Sequence, residues 1–226
     1  MFAEESIANS LGDTPVMSIG KGSSISCIIN LYKQTTDPFK KAILSTNIKS
    51  PLNENQLTQI FVEQIDVQIR NLNYSFGVKN QYSDIFYGTR GVPDFYFHRL
   101  EEGNVSEPLF VVEAKRLPAP IPPNNREKEY VIGDNKNGGI ERYKTGKHGV
   151  GLNECGILGF IEKNDFPHWL TTINTWIQEQ AKIDNTWNIS EILNEIETQN
   201  GCSYLNSLAI RKPKNDLKLH HFWIKT

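Results

Sequence analysis

Two short strings hold the residues best suited to chemistry: Pro93-Asp94, and Glu113-Ala114-Lys115 nineteen positions after that aspartate. Glu113 and Lys115 are two apart in the strand-like run Leu109-Phe-Val-Val-Glu-Ala-Lys115, so alternation sends both side chains to one face. Phe110, Val111 and Val112 lead straight into Glu113. A strand that apolar is buried, and a charged pair at its end is costly unless partnered or bound to a cation. Two carboxylates held together raise one another's pKa. A hard divalent cation between Asp94 and Glu113 removes that cost, and the carbonyl of Ala114 is a candidate third oxygen ligand. Lys115 would then hold or polarise an attacking water or a scissile phosphate. This is the apparatus of metal-assisted phosphodiester hydrolysis.

Several elements must position these residues. Asn53 predicts the cap of a helix whose apolar residues Leu57, Ile60, Phe61, Ile65 and Ile69 recur at helical spacing. Strand-like stretches follow Gly77; Gly91–His98 and Leu109–Lys115 are two of them. Turn residues at Glu102–Ser106 separate these two, which suits a hairpin or two adjacent strands. Next come a proline-rich loop (Pro118, Pro120, Pro122, Pro123), a polar helix around 125–143, and an apolar strand over 156–161. Helices are expected over 166–182 and 189–199, the first with Trp169 and Trp176 on one stripe. Two strands follow, over 204–211 and 217–224. Upstream, Ser23 or Ser24 caps a short helix over 25–32, and Asp37-Pro38 reads as a turn or a new helix start. The order implies an α/β or α+β fold, a mixed sheet flanked by helices. Residues 1–50 read as an N-terminal helical extension or arm, and 51–226 as the main domain.

Pro-Asp, a spacer, and Glu-x-Lys on an apolar strand after a capped helix resembles the PD-(D/E)XK nuclease superfamily, the restriction-endonuclease-like fold. The resemblance covers roughly Asn53 to Ile161. It implies a central mixed β-sheet flanked by helices and an active site of Asp94, Glu113 and Lys115. Mg²⁺, for which Mn²⁺ can substitute, would be held by Asp94, Glu113 and the Ala114 carbonyl. It further implies DNA as the substrate, a role in restriction or anti-phage defence, and a homodimer where both strands of a duplex are cut. The superfamily often adds an acidic residue from the first helix. Glu54 shares a face with Leu57 and Phe61, whereas Glu63 lies about 180° away at 100° per residue, so Glu54 is the candidate. A carboxylate at a helix N-terminus is also favourable through the dipole alone. Basic residues after the Glu-x-Lys strand often reach the phosphate in this family; Arg142, Lys144 and Lys147 occupy that place.

Other residues carry less. His220 and His221 are adjacent on a strand and point to opposite faces, so they are not a metal pair. His98 lies four residues past Asp94, where the strand has carried it away, and His148 and His168 have no partner at ligand spacing. Gly20-Lys21-Gly22-Ser23 lacks the order of a phosphate loop. Cys27, Cys155 and Cys202 are too scattered for a disulfide framework or a zinc site, which fits a reducing cytoplasm.

The chain has 226 residues, 38% of them hydrophobic and 22% charged, enough for a core without disulfides. Mean hydropathy is −0.45, and no apolar run reaches membrane-spanning length. Glu4 and Glu5 stand where a signal peptide would be basic, so a soluble cytoplasmic protein is expected. A net charge of −2 argues against coating nucleic acid by bulk electrostatics, but not against a nuclease with one local cleft. Two other readings fit the residues: a nuclease-fold subunit that binds or assembles within a defence or repair complex, and a chance ion pair between Glu113 and Lys115 on an unrelated α/β protein.

Overall fold

The computed structural model describes residues 21–45, 51–120, 126–211 and 215–226, with the backbone alone for 21–23. Four helices, α1 (Lys21–Ser45), α2 (Glu54–Asn71), α3 (Gly139–Lys144) and α4 (Phe166–Ile183), flank one sheet. Its strands are β1 (Phe76–Asn80), β2 (Phe95–Arg99), β3 (Phe110–Leu117), β4 (Glu154–Ile161), β5 (Asn194–Gln199), β6 (Cys202–Ala209) and β7 (Leu217–Lys225). The strand order is β1-β2-β3-β4-β7-β6-β5. β3, β4 and β7 run parallel in the centre, and the outer pairs are antiparallel. This is the mixed sheet flanked by helices that the order of elements implied.

β3 divides the core into two layers. Phe110, Val112 and Ala114 pack with Tyr32 and Phe39 of α1 and Phe61 and Ile65 of α2. Val111 and Leu117 pack on the other face with Ile140 and Tyr143 of α3 and Trp169 and Ile173 of α4. At the start of α2, Asn53 Oδ1 accepts from Gln56 N at 3.0 Å and Gln56 Oε1 accepts from Asn53 N at 3.0 Å. This reciprocal cap fixes the first turn, and with it Glu54.

Three elements differ from expectation. Residues 21–45 form one helix through Pro38 rather than a short helix and a turn. Tyr32 stacks on Phe222 at 3.8 Å and Phe39 meets Phe61 edge-on at 5.4 Å, so anchors on both sides of the proline outweigh the ~3 kcal/mol it costs in a helix. α1 is therefore a helix packed into the core; residues 1–20 and 46–50 of the expected helical extension lie outside the described residues. The helix expected over 125–143 is a single turn of 3₁₀ helix at Arg126–Lys128, a chain of turns, and then α3. Gly138 explains the break: a methyl there would meet Ile132 Cα at 2.3 Å. The helix expected over 189–199 is one 3₁₀ turn followed by β5. Its polar residues suit an edge strand whose other side faces solvent, and pairing with β6 overrides their helical preference. No helix among the described residues is long and apolar enough to cross a membrane.

Candidate active site

The site lies where two neighbouring strands part. β2 and β3 pair only from Phe95↔Val112 to Phe97↔Phe110. Beyond Val112, β3 continues to Leu117 with no β2 residue opposite. Backbone N–H groups left without a partner on that side need acceptors. Two carboxylates supply them. Asp94, one residue before β2, accepts from Ala114 N through Oδ2 at 2.6 Å. Glu54, the first residue of α2, accepts from Arg116 N through Oε2 at 3.1 Å. They take the ladder positions that β2 carbonyls would otherwise occupy.

Glu113 and Lys115 point to the same face of β3, as alternation requires, and Lys115 Nζ donates to Glu113 Oε1 at 2.7 Å and to Ala114 O at 2.9 Å. Glu54 Oε1 reaches the same ammonium at 3.5 Å through the gap. The Arg142 guanidinium of α3 also sits on Glu113 Oε1. Glu113 Oε2 is fully buried and accepts no hydrogen bond. The His148 ring faces it, Nδ1 lying 3.3 Å away without hydrogen-bond alignment and with no partner of its own.

The electrostatics follow from three carboxylates sharing a dry place with two cations. Burial pushes the Asp94 carboxyl up to about 7, Glu113 adding to the shift and Lys115 opposing it. Burial likewise raises Glu54, against the pull of Lys115. Burial would lower Lys115, but Glu113, Glu54 and Asp94 together outweigh it and hold the ammonium above its ordinary range. Lys115 thus stays charged and acts as a donor, not a base. Burial lowers His148 to about 4 although Glu113 opposes it, so its ring is neutral at physiological pH.

The structure brings together Glu54, Asp94, Glu113, Ala114, Lys115 and Arg142. Arg142 lies on Glu113 and not open to a phosphate. Lys144 and Lys147 are not brought in. Lys144 is buried against Glu191 and donates to Ile210 O at 3.2 Å. Lys147 Nζ turns to Asn135 O and Asn137 Oδ1 at 2.7 and 2.9 Å. Two and five residues beyond Arg142, on the helix and its following turn, they make their contacts away from Glu113. Sequence reasoning missed His148, which no spacing links to Glu113; the loop between α3 and β4 delivers it. The remaining histidines are structural. His220 bonds Tyr204 and Glu154 on one face, and His221 bonds Tyr130 and Ser207 on the other. His98 Nδ1 meets Arg99 O at 2.9 Å, and His168 is exposed at the start of α4. All three cysteines are free.

Among the described residues, no three His, Cys, Asp or Glu side chains form a ready-made metal cage. What the site offers is two carboxylates, Asp94 and Glu113, and the Ala114 carbonyl. A partly hydrated Mg²⁺ takes one or two carboxylates and leaves its other positions to water and substrate oxygens. The buried Glu113 Oε2, which accepts no hydrogen bond, and the elevated Asp94 carboxyl are both features that a divalent cation would satisfy. Comparison with protein-family models, curated proteins and solved structures finds no match to this chain.

Proposed function

We propose that the protein is a divalent-metal-dependent nuclease of the PD-(D/E)XK type, hydrolysing phosphodiester bonds in DNA. One observation carries the reading: Glu54 and Glu113 pair with Lys115, and Asp94 takes the Ala114 N–H between them, at the point where β2 and β3 separate. A structural ion pair would need one carboxylate, and an exposed pair contributes only ~0–1 kcal/mol, giving no reason to bury three acids together.

Asp94, Glu113 and the Ala114 carbonyl are the groups that would hold Mg²⁺. The ion would neutralise charge on the scissile phosphate and lower the pKa of the attacking water. Lys115, kept as an ammonium, donates a hydrogen bond to that water or to a phosphate oxygen. Glu54 orients Lys115 from the opposite side of the sheet and secures the free edge of β3. Arg142, seated on Glu113, offsets part of that carboxylate's charge. Free thiols at all three cysteines fit a reducing cytoplasm.

The test incubates wild type, Asp94→Asn and Lys115→Ala with supercoiled, linear and single-stranded DNA in Mg²⁺ or Mn²⁺, with Ca²⁺ and EDTA as controls. Cleavage in Mg²⁺ or Mn²⁺ that both variants lose supports the assignment. Full activity in EDTA, or activity that survives Asp94→Asn, refutes it.

A further inference from the structure

The loop between β1 and β2 carries features the hydrolytic site leaves unused. It leaves and rejoins the sheet at one neck, where Gln81 N donates to Asp94 O at 2.7 Å and Tyr82 N to Pro93 O at 3.1 Å. The loop therefore emerges from the candidate metal ligand itself. Within it, the Asp84 carboxylate accepts from Phe86 N, Tyr87 N, Thr89 N and the Thr89 hydroxyl at 2.7–3.0 Å. Its far side rests on the segment before β4. A methyl on Gly91 would meet Lys147 O at 2.2 Å and the His148 ring at 2.4 Å, and the Tyr87 ring lies on Gly151 while its hydroxyl donates to Glu107. Since His148 faces Glu113, the loop is braced from both sides of the site.

This braced loop exposes side chains that enter no hydrogen bond, ion pair or ring contact among the described residues. Ile85 is 69% exposed, Val92 47% and Phe86 40%. Arg90 is also exposed, and it is the one arginine without an acceptor among the described residues. Arg70, Arg99, Arg116, Arg126 and Arg142 each lie on a carboxylate, and Arg211 donates to three backbone carbonyls.

We propose that the β1–β2 loop receives an unpaired stretch of the nucleic acid being cut, Phe86 stacking on a base and Arg90 taking a phosphate of the same strand. The inference rests on the nuclease reading and names its substrate class. A duplex hides its base faces inside the stack, so an exposed ring can meet one only where a base is unpaired. A duplex held through its phosphates would instead need several free cations at the cleft, yet Lys115, Arg116 and Arg142 are all matched by carboxylates. An aromatic ring beside one free guanidinium suits a single strand, where stacking supplies affinity without sequence preference.

Binding and cleavage are measured separately on the full chain. Binding is followed in EDTA by the anisotropy of a fluorescein-labelled single-stranded oligonucleotide and of the same sequence as a duplex. Wild type is expected to favour the single strand. Phe86→Ala should weaken that binding roughly ten-fold or more, and Phe86→Trp should restore it. Arg90→Ala should flatten the slope of log affinity against log salt by about 0.7, the share of one phosphate contact on a single strand. Equal affinity for both forms that Phe86→Ala leaves unchanged, or no binding of either, overturns the proposal; the latter is the outcome expected if the tip docks a protein. Mg²⁺-dependent cleavage by wild type with both variants binding normally removes the loop's role and leaves the nuclease standing. Strand binding that depends on Phe86, with no cleavage under any metal, upholds the loop and removes the nuclease.

Discussion

The elevated carboxyl of Asp94 predicts that the site destabilises the protein until a cation arrives. An aspartate in an unfolded chain releases its proton near pH 3.9, whereas Asp94 in the fold holds it to about 7. Below pH ~4 both states are protonated and the difference vanishes; above 7 both are ionised and the folded state bears all of it. Three units at ~1.36 kcal/mol each come to about 4 kcal/mol at pH 8, no small part of the 5–15 kcal/mol that stabilises a typical domain. Asp94→Asn removes the charge and keeps an oxygen to accept the Ala114 N–H. In EDTA at pH 8 the variant should therefore be more stable than wild type by roughly 3–4 kcal/mol, and the gap should close as pH falls toward 4.

Mg²⁺ should close the same gap from the other side. It stabilises wild type by mass action, about 2.7 kcal/mol at a hundred times its dissociation constant, and leaves Asp94→Asn nearly unmoved. Urea unfolding followed through the four tryptophans at pH 8 and pH 5, with EDTA or Mg²⁺, gives all these values. Titrating groups remote from Asp94 are shared by the two proteins and cancel in the difference. If Asp94→Asn is no more stable at pH 8, and Mg²⁺ leaves the wild-type midpoint in place, the carboxylate cluster is not a cation site.

Three further outcomes follow from contacts already described. Glu54→Gln should lower cleavage at least ten-fold because Lys115 and the Arg116 N–H lose their charged acceptor, while Glu63→Gln, bonded only to Gln59 on the exposed face, should leave kcat/KM unchanged. Lys144→Met takes the cation from buried Glu191, which keeps only the Asn188 and Ile210 N–H donors, and should cost about 3–5 kcal/mol by urea unfolding without changing KM; a raised KM would restore Lys144 to the substrate. His221 is held neutral by burial, its pKa lowered to about 3, with His148 and His220 shifted the same way. Measured in the Asp94→Asn background, stability should thus fall as pH drops from 6.5 to 4.5, by about 2–3 kcal/mol for His221 alone, and a flat profile over that window would contradict its neutral burial.

How much of this was legible in the sequence depended on the range of the interactions involved. The choice of Glu54 over Glu63 needed only helical phase, and the shared face of Glu113 and Lys115 only strand alternation. Both are local rules, and both side chains lie where those rules place them. α1 was not legible because Pro38 is a local signal for a break, while the contacts that override it come from β4, β7 and α2. β5 was hidden for the same reason: Asn194–Gln199 becomes a strand only because β6 has a free edge to fill. Lys144 and Lys147 share the sequence neighbourhood of Arg142, yet α3 and its turn aim each one differently.

The position of the cluster has a cause that no motif contains. β3 is eight residues long and β2 five, and they meet in register at only three pairs, so the second half of β3 emerges with one side unpaired. Polar backbone in that position must find acceptors, and the chain supplies carboxylates from β2's own start and from the tip of α2. Ordinary loop carbonyls or water would have served a purely structural purpose without charge. Placing anionic acceptors there, beside a third carboxylate and a buried lysine, raises the free energy of the empty site. Protonation relieves that cost at low pH; on the proposed reading a bound cation would relieve it at neutral pH, at the place where the mismatch of strand lengths opens the sheet.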